Sequence, residues 1–275
     1  WQRFLLPCML LIILKKEKMN IAVFVKQIPD QSVVGNLNSD FRFNREGKIT
    51  IDEADLYGVE LALQLRDSVG SGQVSLISMA PNSEVVGIKN ALAMGADNAI
   101  VISDIQLSGS HSLATAKVLN AAISKLENIE LIIAGTESSD GYTGLLPAQI
   151  GELRKISVLS FATSVEIVDG VIKINRQTEL GIDIVSAKLP AIVSVTAGCV
   201  EPRYPNFKGI MAAKSKPIEF YDLADLGIDL TELNIDNQNV FEMEPSEVRS
   251  AGEKIEDEEI GVGKIIDLLE SQGAL

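Results

Sequence analysis

Histidine and cysteine are nearly absent: His111, Cys8 and Cys199 are all that 275 residues contain. No Cys-x-x-Cys pair occurs, so a zinc or iron–sulfur centre would lack its ligands. Two isolated cysteines make no disulfide framework and fit a reducing, cytoplasmic compartment. Aromatic residues are scarce at 5% while hydrophobic residues reach 46%, so the expected core is large and aliphatic. Apolar runs stop short of the ~18 residues that suggest a membrane span, and no membrane insertion is expected. Positive charge is also short. The net charge is −14, which argues against a nucleic-acid partner. Residues 222–275 hold 15 of the 38 acids and 3 of the 24 bases. That segment reads either as a solvated surface or as an arm laid on a partner. His111 follows Ser-Gly-Ser at a helix start and reads as a solvent-facing residue. No set of nucleophile, base or metal ligands emerges, which suits a carrier rather than an enzyme.

Residues 1–18 do not match the rest of the chain. Trp1–Leu14 is apolar, is not led by Met, and ends in Lys15-Lys16-Glu17-Lys18. A signal peptide carries its positive charge ahead of its apolar stretch, the reverse of this order. Codons for Lys-Lys-Glu-Lys are purine-rich, like a bacterial ribosome-binding site. Residues 1–18 are therefore expected to be translated upstream sequence, with the native start at Met19. The competing reading is a short membrane-associating segment.

From Met19 onward, strand and helix patterns alternate. Ile21–Ile28 is a β-branched apolar run closed by Pro29-Asp30, and Val74–Met79, Ala99–Ile102 and Ile129–Ala134 are further strands. Between them, Asp55–Asp67 places Leu56, Val59 and Leu63 on one helical face. Ser83 is positioned to cap a helix running to Ala93 before Gly95. Ser112–Leu126 spaces Leu113, Ala116, Leu119 and Ile123 for one face. Near-continuous apolar strands separated by amphipathic helices predict an α/β fold, a Rossmann-like, mostly parallel sheet with helices on both faces. After Leu159 the period changes. Val165–Val168 and Val171–Asn175 flank Asp169-Gly170, a two-residue hairpin turn. Ile182–Lys188 and Ala191–Val195 come next at short spacing, and the group predicts an antiparallel hairpin extension. Beyond Pro217 the chain is acidic and loop-rich, with a short helix over Ile260–Leu269. The predicted organisation is an extension at 1–18, a nucleotide-binding domain at 19–216, and an acidic C-terminal arm at 217–275.

Two loops stand out. Ligands of open parallel sheets sit at the carboxyl ends of the strands. Val25–Asp30, Met79–Pro81 and Gly135–Pro147 converge there. The last of these has three glycines and four Ser/Thr residues ahead of a helix at Ala148–Leu153. Backbone amides and hydroxyls at a helix start make a phosphate cradle. The loop is neither Gly-x-Gly-x-x-Gly nor a Walker loop, and the pattern also suits an ordinary strand-to-helix turn. Lys26 and Asp30 at the first strand end read equally as a surface turn or as ligand contacts. In the second loop, Cys199–Lys216, Pro202 and Pro205 forbid regular pairing and Gly209 permits a reversal. Apolar Tyr204, Phe207, Ile210 and Met211 stand among Arg203, Lys208, Lys214 and Lys216. This is either a docking surface or a loop folded onto its own core. Glu201 and Arg203 are placed to form a local ion pair.

Together with Arg176-Gln-Thr-Glu179 and Lys188-Leu-Pro-Ala-Ile-Val-Ser194, the second loop resembles the small (beta) subunit of electron transfer flavoproteins. The resemblance runs from Met19 to about Leu275. It implies a heterodimer with a larger alpha subunit that holds most of the FAD. This chain would supply one wall of the flavin site, bury a structural AMP, and pack its acidic arm on the alpha subunit. Electrons would enter from acyl-CoA dehydrogenases of fatty acid beta-oxidation and leave to a membrane quinone oxidoreductase. The AMP-contacting positions of the family fall on Phe24, Asp52, Ala54, Asp55, Met79, Ser138, Ser139, Asp140, Thr143, Gly144 and Leu145. The dehydrogenase anchor falls on Phe207, with Arg203, Tyr204, Lys208, Ile210 and Met211 around it. The chain departs from the family in two ways: the 135–147 loop is shorter than in some members, and Asp52-Glu53 stands where Asn-Pro is frequent. Two alternatives remain open. One is an electron-bifurcating, NADH-oxidising form with a second FAD in place of AMP. The other is a stand-alone adenine-nucleotide sensor of the universal-stress type, which would lack the second loop and the acidic arm.

Overall fold

The computed structural model describes residues 18–30, 41, 45, 48–81, 84–235, 240–243 and 252–275. Residues 1–17 and the expected cap Ser83 lie outside the described residues. In chain order the elements are β1 (Ile21–Phe24), β2 (Gln27–Pro29), β3 (Ile49–Ile51), α1 (Glu53–Val69), β4 (Val74–Met79), α2 (Val86–Met94), β5 (Asn98–Ile102), α3 (Ser112–Ile123), β6 (Leu131–Gly135) and α4 (Leu146–Arg154). Next come β7 (Ser157–Val168), β8 (Val171–Thr178), β9 (Gly181–Lys188), β10 (Ala191–Val195), α5 (Phe207–Ala213), β11 (Ile218–Tyr221), α6 (Leu230–Leu233) and α7 (Glu258–Ser271).

Nine strands form one sheet in the order β11-β5-β4-β1-β6-β10-β7-β8-β9. Strand β1 pairs in parallel with β4 on one side and β6 on the other, with Ile21 level with both Val74 and Leu131. The chain steps outward from β1 through β4 to β5, then returns to place β6 on the opposite flank of β1. Strand order therefore reverses between β1 and β6. At such a switch point the connections leave in opposite directions and open a crevice at the carboxyl edge. Buried side chains of α1 and α2 pack on one sheet face with Val23, Leu76 and Ile133. Those of α3 and α4 pack on the other with Phe24, Ile77 and Ile132. Helix α1 starts at Asp52, whose extended backbone and side-chain carboxylate cap the first turn, and stops at Gly70, left-handed at φ 77°. Gly58 brings α1 close to the sheet: a Cβ there would sit 3.2 Å from the Ile133 side chain.

The structure departs from the sequence reading in three places. The Ile21–Ile28 run breaks after Phe24, and Gln27–Pro29 turns away to pair antiparallel with β3. The antiparallel extension comprises β7, β8 and β9. Strand β10 is not part of it but runs parallel between β6 and β7. All five of its residues are buried, which is the signature of a central parallel strand rather than a half-exposed antiparallel one. The third difference is Ile218–Tyr221, which extends the parallel sheet beside β5 instead of opening an arm at residue 217. The compact units are Trp1–Asn239 and Val240–Leu275. In the second unit α7 carries Ile260, Val262, Ile265, Ile266, Leu268 and Leu269, each at least one-third exposed.

Ile133, fully buried on β6, tests the packing. Ile133→Ala is expected to cost about 2–5 kcal/mol in urea denaturation, and Ile133→Val about 0.5–1.5 kcal/mol.

Candidate functional site

Asp52 and Asp55 tie the carboxyl ends of β1 and β6 to the start of α1, and Asp140 ties the two strand ends to each other. Lys26, two residues beyond β1, donates its backbone N–H to Asp55 Oδ2 at 2.6 Å. Its Nζ donates to Asp140 Oδ1 at 2.6 Å and to Ser138 Oγ at 3.3 Å, both in the loop after β6. Buried Asp52 divides its carboxylate: Oδ1 accepts from Ala54 N at 3.1 Å and Oδ2 from Ser139 N at 2.8 Å. The half-exposed Lys26–Asp140 pair contributes only ~0–1 kcal/mol of stability. Its consequence is geometric, since it holds the loop over the strand ends.

Burial drives the Asp55 carboxyl from its ordinary 3.8 up to about 8, against the pull of the Lys26 amide. The neighbouring Asp52 charge adds to the rise, while the Lys26 ammonium and the Gly135 amide oppose it. Gly135 has no room for a side chain here: a Cβ would lie 2.9 Å from Asp55 Oδ1.

The two helix N-termini at this edge are unlike. That of α1 is capped by the Asp52 carboxylate and carries Glu53 in its first turn, which makes it hostile to an anion. That of α4 has no side-chain cap. The chain enters α4 through Tyr142 and Gly144 with positive φ, at 49° and 61°. The Lys26 ammonium meets the Ser138 hydroxyl in the loop after β6, and the same loop leads into the uncapped start of α4; ammonium, hydroxyl and free helix amides are the donor types that suit a phosphate.

The structure thus gathers Asp52, Ala54, Asp55, Ser138, Ser139 and Asp140 around Lys26. Exposed Thr143 and Leu145 and half-buried Gly144 line the entry to α4. Phe24 and Met79 end β1 and β4, with Phe24 buried in the core beneath and Met79 packed against the same cluster. A recess of ≈ 250 Å3 lined by Ile129, Glu130, Arg154 and Pro190 lies at the amino ends of β6 and β10, away from this site.

The second loop is more ordered than its prolines suggest. Phe207–Ala213 is helical, and Asn206 caps it by accepting from Gly209 N at 2.8 Å. Gly209 makes no reversal. It lies within α5 where a Cβ would be 2.3 Å from the Ala93 carbonyl oxygen, so its bareness lets α5 rest on α2. Arg203 passes over Glu201 and reaches Glu60 on α1, with Nε–Oε2 at 2.6 Å, Nη2–Oε1 at 3.0 Å and its backbone N at 3.2 Å from Oε2. A carboxylate on the buried face of α1 demands such a partner, and a surface glutamate does not. Burial pushes the Glu60 carboxyl up. The Arg203 guanidinium, the Gln64 amide and the Arg203 N–H outweigh this and hold it below the ordinary glutamate value. Lys216 Nζ donates to the carbonyls of Leu92 (2.8 Å) and Ala96 (2.6 Å) at the end of α2. Tyr204 and Phe207 stand 93% and 79% exposed, and Ile210 and Met211 about half, beside exposed Lys208.

His111 caps α3: Nδ1 accepts from Ala114 N at 3.3 Å, and Nε2 is 3.1 Å from the Asn234 carbonyl. Both ring nitrogens serve structure. Among the described residues no group of His, Cys, Asp and Glu could hold a metal ion, and no helix is long and apolar enough to cross a membrane. Sequence reasoning passed over Glu60 and the capping role of Lys216. Glu60 had a signal, since it lies four residues after Leu56 and one after Val59, on the apolar face of α1.

A mostly parallel sheet with helices on both faces and a strand-order switch between β1 and β6 defines a Rossmann-like α/β fold. Residues 40–226 match the electron transfer flavoprotein domain family. The chain is similar to electron transfer flavoprotein subunit beta of Mycobacterium leprae, 37% identical over 261 residues, 92% of this chain and 98% of that one. It is 30% identical to caffeyl-CoA reductase-Etf complex subunit CarD of Acetobacterium woodii over 240 residues, 86% and 92% of the two chains. It is 32% identical to acryloyl-CoA reductase electron transfer subunit gamma of Anaerotignum propionicum over 208 residues, 74% and 78% of the two chains. The chain belongs to the electron transfer flavoprotein beta-subunit family.

Asp55 makes stability depend on pH. Between its ordinary 3.8 and about 8 the folded chain holds a proton that the unfolded chain has released. Stability then falls as pH rises through that window. In urea denaturation from about pH 5 to about pH 8, the wild type should lose stability relative to Asp55→Asn by up to ~1.4 kcal/mol per pH unit. A constant difference would mean that Asp55 is already ionised in the folded chain.

Proposed function

We propose that this chain is the small subunit of a heterodimeric electron carrier whose FAD is held mainly by the alpha subunit and whose switch-point cradle holds a structural AMP. The observation that supports the reading is the Lys26–Ser138 contact in the loop after β6, a loop that leads into the uncapped start of α4. Asp52 and Lys26 draw the loop down onto the strand ends, an arrangement suited to a mononucleotide. The phosphate meets the α4 amides and the Lys26 ammonium, and Thr143, Gly144 and Leu145 flank it. Bound flavin supplies the redox chemistry, and this chain's residues supply one wall, exclude water and fix orientation. Acyl-CoA dehydrogenases dock on α5 with Phe207 as the anchor and Tyr204, Ile210 and Met211 beside it, and Arg203 and Lys208 on the rim. Electrons then pass to a membrane quinone oxidoreductase. A small apolar patch with a basic rim suits a contact that forms and breaks at each turnover. The acidic second unit, through the apolar side chains of α7, packs on the alpha subunit.

A second reading is favoured by the relatives named for CoA reductase complexes. In it a second FAD replaces AMP and the complex bifurcates electrons from NADH.

Nucleotides released from the complex co-expressed with its alpha partner separate the readings: the carrier yields one FAD and one AMP, the bifurcating form two FAD and no AMP. Phe207→Ala is expected to slow reduction by a dehydrogenase at least ~10-fold with FAD content unchanged, and unaltered transfer kinetics would remove α5 from the docking role. Deletion of residues 240–275 is expected to abolish a stable heterodimer on size-exclusion chromatography. A stable complex would reduce that segment to a tail.

A further inference from the structure

The patch on α5 is usable only if the helix stands in one place. A seven-residue helix has too little hydrogen bonding of its own to do this. Three contacts with the body of the fold hold it. Arg203, four residues before the helix, grips Glu60 with three donors, its backbone N–H included. Gly209 inside the helix touches the Ala93 carbonyl at a distance that leaves no space for a side chain. Lys216, just past the helix, closes the end of α2 on the carbonyls of Leu92 and Ala96. The helix is thus braced before, within and after its length against α1 and α2. Glu60 is buried and cannot itself meet a partner. A fourth hydrogen bond, from Gln64 Nε2 at 2.8 Å, fixes the carboxylate plane that Arg203 reads.

We propose that Glu60 is a positioning residue for electron-donor docking: through Arg203, and together with the bare Gly209–Ala93 contact, it sets where Phe207 and Tyr204 stand on the surface. This rests on the reading of α5 as the dehydrogenase-docking element. Supporting residues of this kind decide whether exposed groups meet their partner in register. Glu60→Gln keeps size and one acceptor but loses the ionic grip. Gly209→Ala lifts α5 off α2 without removing any group a partner could touch.

The test uses the intact heterodimer. Its steady-state reduction by a purified acyl-CoA dehydrogenase supplied with its acyl-CoA substrate is compared with its reduction by dithionite, which needs no docking. Glu60→Gln and Gly209→Ala should each raise KM for the heterodimer about tenfold, with kcat, dithionite reduction and FAD content within about twofold of wild type. Glu60→Asp should recover part of the loss. If both variants keep the wild-type KM while Phe207→Ala raises it, positioning by Glu60 is wrong and the docking reading stands. If Phe207→Ala also leaves KM unchanged, both fall. Loss of FAD or of dithionite reduction in both variants would mark a general folding role and overturn the proposal.

Discussion

Helix α1 is the constraint on which both the loop after β6 and the segment leading into α5 depend. Its cap Asp52 and first-turn Asp55 fasten the loop after β6 and the end of β1. Its second turn contributes Glu60, which fastens the segment leading into α5. Between them Gly58 lets the helix lie close against β6. A helix seated this way is stiff on the scale of one turn, because its buried face is interlocked with sheet side chains. The distance between the Asp52–Asp55 cluster and the Glu60 anchor is therefore set by the rise of a single helix, not by loops.

The acids near the cradle have separate physical roles. Asp52 is engaged at both oxygens by backbone N–H groups, which satisfies a buried carboxylate without a cation. Asp140 shares Lys26 with Ser138 and is partly open to water, so it costs little to keep charged. Asp55 is the expensive one: buried, next to another carboxylate, and pushed up to about 8. Perturbed groups of this kind recur at functional sites and also in structural ion networks. Its cost is offset by the two backbone amides it orders, those of Lys26 and Gly135.

Much of this was legible in the residues. Apolar runs gave the central strands, and Asp169-Gly170 gave the hairpin. The 135–147 loop follows β6 and precedes α4, as the Gly- and Ser-rich stretch between an apolar run and a helical pattern suggested. The features missed were decided by contacts remote in sequence. Ala191–Val195 looked like one more short-connected antiparallel strand, and its uninterrupted apolar character was the overlooked sign of a central parallel one. Pro202 and Pro205 suggested an irregular loop. Asn206 ahead of Phe207, Ile210 and Met211 was in fact a cap leading into i, i+3 and i+4 apolar spacing. Ile218–Tyr221 was obscured by the acidic stretch around it. Whether Gly209 marks a turn or a close approach depends on Ala93, which no local pattern reports.

The most direct test of a nucleotide seat between β1 and β6 is hydrogen exchange of the heterodimer with and without AMP. Added protection is expected in residues 24–30, 52–56 and 135–148, with the recess at the amino ends of β6 and β10 unchanged. Protection confined to that recess, or none in the loop after β6, would contradict it.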